Sequence, residues 1–185
     1  GSFKFCSFIS NEGGWGGGAY FETGPKKYTV THCIFMDNTA SDGGGIQSRG
    51  KLPPLEYCLF VGNQVTNKGG ALYGQSVTLK NCTVAYNTAG KWGGGIHLEG
   101  SSTQIIADHS IILGNTASST QSYGPGNQIY FKQKGTSTIN HSNIEGGKDD
   151  FGGREENWRY NGFNPVANPG FAGGTEAANA PYNES

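Results

Sequence analysis

The sequence predicts an all-β fold, a right-handed parallel β-helix (a solenoid) of about six coils with three short strands per coil. Three observations carry that reading. Two short motifs return together at a nearly constant offset, glycine supplies 32 of 185 residues, and the runs between the glycines have strand length and strand composition. Glycine far exceeds its usual share of about 7%, but it does not recur at every third position as collagen requires. Only 15% of the residues are charged and the formal net charge is −1. That balance excludes the basic footprint of a nucleic-acid binder and a highly charged disordered tail. No apolar run approaches the roughly 18 residues of a membrane-spanning helix.

The repeat is read directly. CSFISN at 6–11 precedes GGGAYF at 16–21, CIFMDN at 33–38 precedes GGGIQS at 43–48, and CLFVGN at 58–63 precedes GGALYG at 69–74. CTVAYN at 82–87 with GGGIHL at 93–98 is the fourth pass; SIILGN at 110–115 with GNQIYF at 126–131, then SNIEGG at 142–147, are degenerate ones. The column Cys6, Cys33, Cys58, Cys82, Ser110, Ser142 is spaced 27, 25, 24, 28 and 32, and Asn11, Asn38, Asn63, Asn87, Asn115 keep the first four of those spacings. Self-similarity at this period marks stacked supersecondary units.

Segments so rich in Gly, Asn, Thr and Ser do not hold helices, whereas their short alternating runs suit strands. In the fourth period VTL at 77–79, CTV at 82–84 and IHL at 96–98 are the three strands, with Asn81 at the first bend and Asn87 opening the loop before the third strand. Coils stacked at about 4.8 Å make a rod about 29 Å long. Phe8, Phe35, Phe60, Val84, Ile112 and Ile144 form one inward column, and Ala19, Ile46, Leu72, Ile96 and Ile129 another. Glycines before the third strand supply the positive φ of a tight bend. The Asn column is expected to be an asparagine ladder, in which stacked amides satisfy one another and the bend backbone.

FISN, FMDN and FVGN, with GGAL at 69–72 and GGGI at 43–46 and 93–96, resemble the F-x-x-N and G-G-A-[I/L/V] repeats of chlamydial polymorphic outer-membrane proteins and their relatives. VAYN and ILGN depart from the first motif at Phe, and GGGI from the second at Ala. SNIEGG and FNPVANPGFAGG at 163–174 resemble the closing region of large bacterial surface β-helix proteins with a C-terminal anchor. The resemblance implies a secreted or cell-surface, outer-membrane-associated location and an adhesive role, with an extracellular glycan or host-surface protein as partner and further coils upstream.

The four cysteines lie in one column whose ladder spacing is too long for a relaxed disulfide, so they are expected to be reduced and buried. In-line sulfurs cannot close a tetrahedron around zinc. His32, His109 and His141 precede the Cys/Ser column, where Tyr57 and Asn81 stand in other coils; they read as bend residues too widely spaced to share an ion. No metal, cofactor or nucleic-acid partner is expected.

The third strand places Tyr20, Gln47, Tyr73, His97 and Tyr130 in an outward column, with Glu22, Arg49, Gln75, Glu99 and Lys132 two residues on. Tyrosine faces stack on sugars and amides bind hydroxyls, so this face is the candidate glycan site. The same pattern also serves plain cross-strand stabilisation, with Glu22/Arg49 and Glu99/Lys132 as charge pairs. The alternative function is a fragment of a polysaccharide lyase or hydrolase, since β-helices host such enzymes. His97, Glu99 and Lys132 are its best cluster, but no catalytic residue is assigned. The β-helix is expected to span 1–145, followed by a cap or strap at 146–185. That tail's Phe151, Trp158, Phe163, Val166 and Phe171 would cover Ile34, Leu59 and Ile111 on the second strand's outer face, the alternative cover being a partner protein or a neighbouring domain. The Gly1-Ser2 start and the uncapped strand at Phe3-Lys4-Phe5 predict an artificial first edge that stacks end to end.

Overall fold

A computed structural model describes residues 1–22, 28–101, 103–120, 124–153 and 158–162. The chain winds into a parallel β-helix whose sheets run along the axis. The first sheet holds seven strands: Ser2–Lys4, Thr29–Thr31, Leu55–Glu56, Ser76–Lys80, Thr103–Asp108, Gly135–Asn140 and Trp158–Gly162. The second holds six: Ser7–Ile9, Ile34–Met36, Leu59–Val61, Thr83–Ala85, Ile111–Leu113 and Asn143–Ile144. The third also holds six: Ala19–Phe21, Ile46–Ser48, Leu72–Gly74, Ile96–Leu98, Ile129–Phe131 and Phe151–Gly152. Each strand pairs in parallel with its counterpart one level away, as Phe35 does with Phe8 and Phe60.

Two features add to the expected plan. First, some coils carry a fourth short strand beside the expected three. Thr39–Asp42, Gln64–Lys68, Thr88–Ala89 and Thr116–Ala117 form a fourth, four-stranded ladder just after the Asn column. The asparagine column fixes each Asn backbone at the same height, so the dipeptides that follow, Thr-Ala in three coils and Gln64-Val65 in the other, fall into register and pair. Second, strands continue beyond 145, within the segment expected as a cap or strap. After a 3-10 turn at Gly147–Asp150, Phe151–Gly152 and Trp158–Gly162 extend the third and first sheets. Phe151 is buried and packs on Phe131 at 5.9 Å, so it is a core residue rather than part of a strap. Ile34, Leu59 and Ile111 are half-buried, and residues 163–185 of the expected strap lie outside the described residues.

The core is a set of stacked columns. Phe8, Phe35 and Phe60 stack face to face with centroids 4.7 and 4.8 Å apart, and Val84, Ile112 and Ile144 continue the column fully buried. Parallel offset rings at the pitch of the ladder are a favourable aromatic geometry. Ile46, Leu72, Ile96 and Ile129 fill the facing column.

Polar atoms in this core are paired along the axis. Each Asn Nδ2 donates to Oδ1 of the next Asn, at 2.9 Å for Asn11–Asn38, 2.9 Å for Asn38–Asn63, 2.8 Å for Asn63–Asn87 and 2.9 Å for Asn87–Asn115. Asn115 ends the run on Gln128 Oε1 at 2.7 Å. The same Oδ1 atoms accept a backbone N–H from the preceding Asn, so one amide satisfies two coils.

The Cys/Ser column follows the same logic. Residues before it, His32, Tyr57, Asn81, His109 and His141 among them, have φ between 46° and 55°. That left-handed bend turns a carbonyl inward. Cys33 Sγ donates to Thr31 O at 3.2 Å, Cys82 Sγ to Lys80 O at 3.3 Å, and Ser110 Oγ to Asp108 O at 3.0 Å. Cys82 Sγ and Ser110 Oγ in turn accept N–H groups from the coil before. A thiol and a hydroxyl are interchangeable here because both donate and accept. All four cysteines are free. Burial pushes the Cys33 thiol up, and the hydrogen-bonded Cys82 sulfur together with burial pushes the Cys58 thiol up.

Candidate functional site

The third-strand column does not lie open to solvent as its alternation suggests. Gln47, His97 and Tyr130 are buried, while Tyr20 keeps 37% of its surface and Tyr73 is half-buried. Of the residues immediately before the first glycine of each bend, Trp15 lies beside Tyr20, Lys68 over Tyr73 and Trp92 against Tyr130. Gly43, Gly69 and Gly93 have φ of 61–67°, and a Cβ on them would come within 3.0 Å of the Cβ of Gln47, Tyr73 and His97 respectively. So sharp a bend folds the preceding residue back over the strand that follows, and only glycine permits it.

Around His97 this produces a closed cluster. The imidazole is sandwiched between Tyr73 at 5.4 Å and Tyr130 at 5.0 Å, with Trp92 against Tyr130 at 5.9 Å. Lys68 Nζ lies 5.9 Å from the Tyr73 ring centre and 5.8 Å from that of Trp92. It also donates to Glu99 Oε2 at 3.0 Å, Tyr73 Oη reaches the same oxygen at 3.3 Å, and Lys132 Nζ bonds Glu99 Oε1. His97 Nε2 is 3.4 Å from Glu99 Oε2.

Charge states follow from these contacts. Burial holds the His97 imidazole below its ordinary value and hence neutral. The His97 ring, then the Lys132 and Lys68 ammonium groups, keep the Glu99 carboxyl well below the usual carboxylate range against the opposing effect of burial. Burial followed by the Glu99 charge pushes the Tyr73 phenol up, and burial raises Asp42 despite Lys68. A neutral, fully enclosed imidazole cannot reach a proton on a polymeric substrate. The cluster is built to hold three coils together.

The remaining predicted residues separate from it. Glu22 and Arg49 form an exposed ion pair at 3.0 Å, worth at most about 1 kcal/mol. Trp15 is 62% exposed beside Tyr20, centroids 6.2 Å apart. Glu22 and Gln75 instead line a groove that the sequence did not reveal. It runs along the outer face of the first sheet, between Ser76, Thr78 and Gln104 on its floor and the loop ridge of Lys51–Pro54 with Tyr28 at one end. A second depression shares Lys51, Ser76 and Gln104 and extends the path to Lys134 and Thr136. Its walls come from loops of unequal length, which carry no periodic signal.

The histidine column also differs from expectation. His32 stacks between Phe5 and Tyr57 at 4.9 and 4.7 Å, away from the other two. His109 and His141, however, occupy consecutive levels and stack at 4.7 Å. Asp108 Oδ1 lies 3.0 Å from His109 Nδ1 and 3.5 Å from His141 Nδ1, a grouping that could hold a metal ion. The spacing of 32 between Ser110 and Ser142 places His109 and His141 on consecutive coils, closer than the wide spacing expected of the three histidines.

Comparison with known proteins agrees with the architecture. The family model described as right handed beta helix region matches residues 2–144. A curated relative, metabotropic glutamate receptor-like protein P of Dictyostelium discoideum, is 37% identical over 83 residues. The match covers 43% of this chain and 6% of that protein. No solved structure matches. No helix among the described residues is long and apolar enough to cross a membrane.

Proposed function

The chain belongs to the right-handed β-helix family, and on that footing we propose that it is a rigid segment of a secreted or cell-surface adhesin that binds an extended glycan along the first-sheet groove. The observation that carries this reading is the chemistry of the groove. Its floor offers hydroxyls and amides from Ser76, Thr78 and Gln104, its edges the Tyr28 ring, Gln75 and the ammonium groups of Lys51 and Lys134. From the level of Leu55 to that of Gly135 it passes three inter-strand steps, about 14 Å, which suits an oligomer rather than a single sugar. Two lysines along the path favour an acidic saccharide. The parallel ladders beneath hold these groups at fixed spacing, so little ordering cost falls on binding. Of the third-strand residues, Glu22 lines the groove, Tyr20 and Arg49 are exposed, and Gln47, His97 and Tyr130 act as packing. The receptor-like name of the Dictyostelium relative supports a surface setting.

The alternative, a polysaccharide-processing enzyme, draws less support. Hydrolysis uses two carboxyl groups across the scissile bond, and the described groove lining supplies one, Glu22, already paired with Arg49. A glycan array probed with the intact chain, beside assays for new reducing ends and for unsaturated uronate absorbance, separates the readings. Adhesion requires retention of acidic oligosaccharides without turnover, and its loss in Gln104→Ala and Lys51→Glu. Turnover would establish the enzyme reading. Absence of retention, or retention indifferent to both substitutions, would remove the groove from consideration.

A further inference from the structure

The geometry points to a divalent transition-metal site at Asp108, His109 and His141, on the bend between the first and second sheets. Three ligand atoms of suitable type converge there: a carboxylate oxygen and two imidazole Nδ1 atoms, all within 4.8 Å of one another. Tetrahedral zinc with ligand bonds of about 2.0–2.1 Å places neighbouring donor atoms about 3.4 Å apart. The Asp108–His109 and Asp108–His141 separations of 3.0 and 3.5 Å bracket that edge length. Setting an ion between the three requires the two rings to turn out of their stack so that both Nδ1 lone pairs converge on it, with water in the fourth position.

The fold explains why the donors meet. Asp108 is the last residue of its first-sheet strand, and Asn140 is its partner one level on. His109 and His141 follow directly at the left-handed bend, φ 50° and 46°. In that conformation both rings project sideways from the rod and stack at 4.7 Å, with Nδ1 turned toward the Asp108 carboxylate. Both rings are exposed, so an ion enters without opening the coil. Two imidazoles and one carboxylate select zinc, nickel or copper over calcium and magnesium, which demand more oxygen ligands. The site lies on a different edge of the rod from the glycan groove and does not depend on it.

Titration of the intact chain with ZnCl2, followed calorimetrically in a non-coordinating buffer, tests the proposal, and Co²⁺ visible absorption reports ligand geometry. One ion per chain is expected. His109→Asn and His141→Asn should each weaken binding at least tenfold, and Asp108→Asn measurably. Asn already occupies this bend in the same column at Asn81, φ 52°, so these variants keep the backbone conformation. His32→Asn, in the same column beside Phe5 and Tyr57, should bind as the parent does. Absence of zinc binding would overturn the assignment. So would an affinity unchanged in His109→Asn and His141→Asn, or a thiolate charge-transfer band with Co²⁺ showing that the cysteines hold the metal.

Discussion

Removing one rung of the asparagine ladder is the sharpest test of how the coils are held together. Asn63 is fully buried. Its Nδ2 donates to Asn87 Oδ1 at 2.8 Å and to Phe35 O at 3.0 Å, and its Oδ1 accepts from Asn38 N at 3.0 Å and Asn38 Nδ2 at 2.9 Å. In Asn63→Ala all four bonds disappear. Asn38 Nδ2 still reaches Phe8 O at 2.9 Å, but the Asn38 backbone N–H is stranded in the interior. Net losses of about 1 kcal/mol per bond, with about 1–3 kcal/mol for a stranded buried donor, sum to about 3–5 kcal/mol once partial relaxation is allowed. Asn11 sits at the exposed end of the same run and gives up one side-chain donor bond, so Asn11→Ala should cost less than about 1 kcal/mol. Asn63→Asp keeps the size but turns an oxygen toward Asn87 Oδ1 and Phe35 O, and should be at least as harmful as the alanine. Urea unfolding followed by far-UV circular dichroism gives the ranking. Amide hydrogen exchange at Asn38 and Asn87 shows whether the loss is local, a necessary check because stacked repeats need not unfold as one unit. The ladder argument fails if Asn63→Ala lies within 1 kcal/mol of the parent, or if Asn11→Ala costs as much.

Phe35→Ala should destabilise by about 3–5 kcal/mol, and Phe8→Ala by less because Phe8 is only half-buried; melting curves compare them. Gly70→Ala would set a Cβ 2.1 Å from Gly94 O, whereas a Cβ on Gly14 meets nothing within 4 Å, so the first should lower the melting temperature and the second leave it unchanged. Acid should weaken the fold in two stages. The folded His97 value is depressed, so below an unfolded value of about 6.5 the unfolded chain gains a proton that the native one refuses, with a slope of up to about 1.4 kcal/mol per pH unit. Glu99, also depressed, adds a further loss below about pH 4.3. Urea titrations in steps from pH 7 to 4 should show the His97→Gln variant flat over the first stage; an unchanged slope there would remove His97 as its cause. Thiol titration under denaturing, non-reducing conditions should count four free groups, and intramolecular disulfides by mass spectrometry would contradict the column argument.

The stacked columns were legible in the sequence because a parallel coil returns each residue type to the same height and the same side. Repetition of Cys, Asn and Phe at matched spacings therefore specifies the core, the ladder and the bend positions without any coordinates. Phe35 stacks on Phe60, and Asn38 bonds to Asn63, for that reason alone. Strand alternation likewise told inward from outward on the third strand. It could not tell outward from exposed. That was decided by left-handed glycines at 69 and 93, whose bends set Lys68 over Tyr73 and Trp92 against Tyr130, and by the stacking of His97 between those two tyrosines. The groove beside Gln104 belongs to the same class. So does the continuation of the sheets through Phe151–Gly152 and Trp158–Gly162. Each depends on how far a loop or bend reaches across the coil. Reach is set by φ and by loop length at a few positions, which vary from coil to coil and leave no period to read.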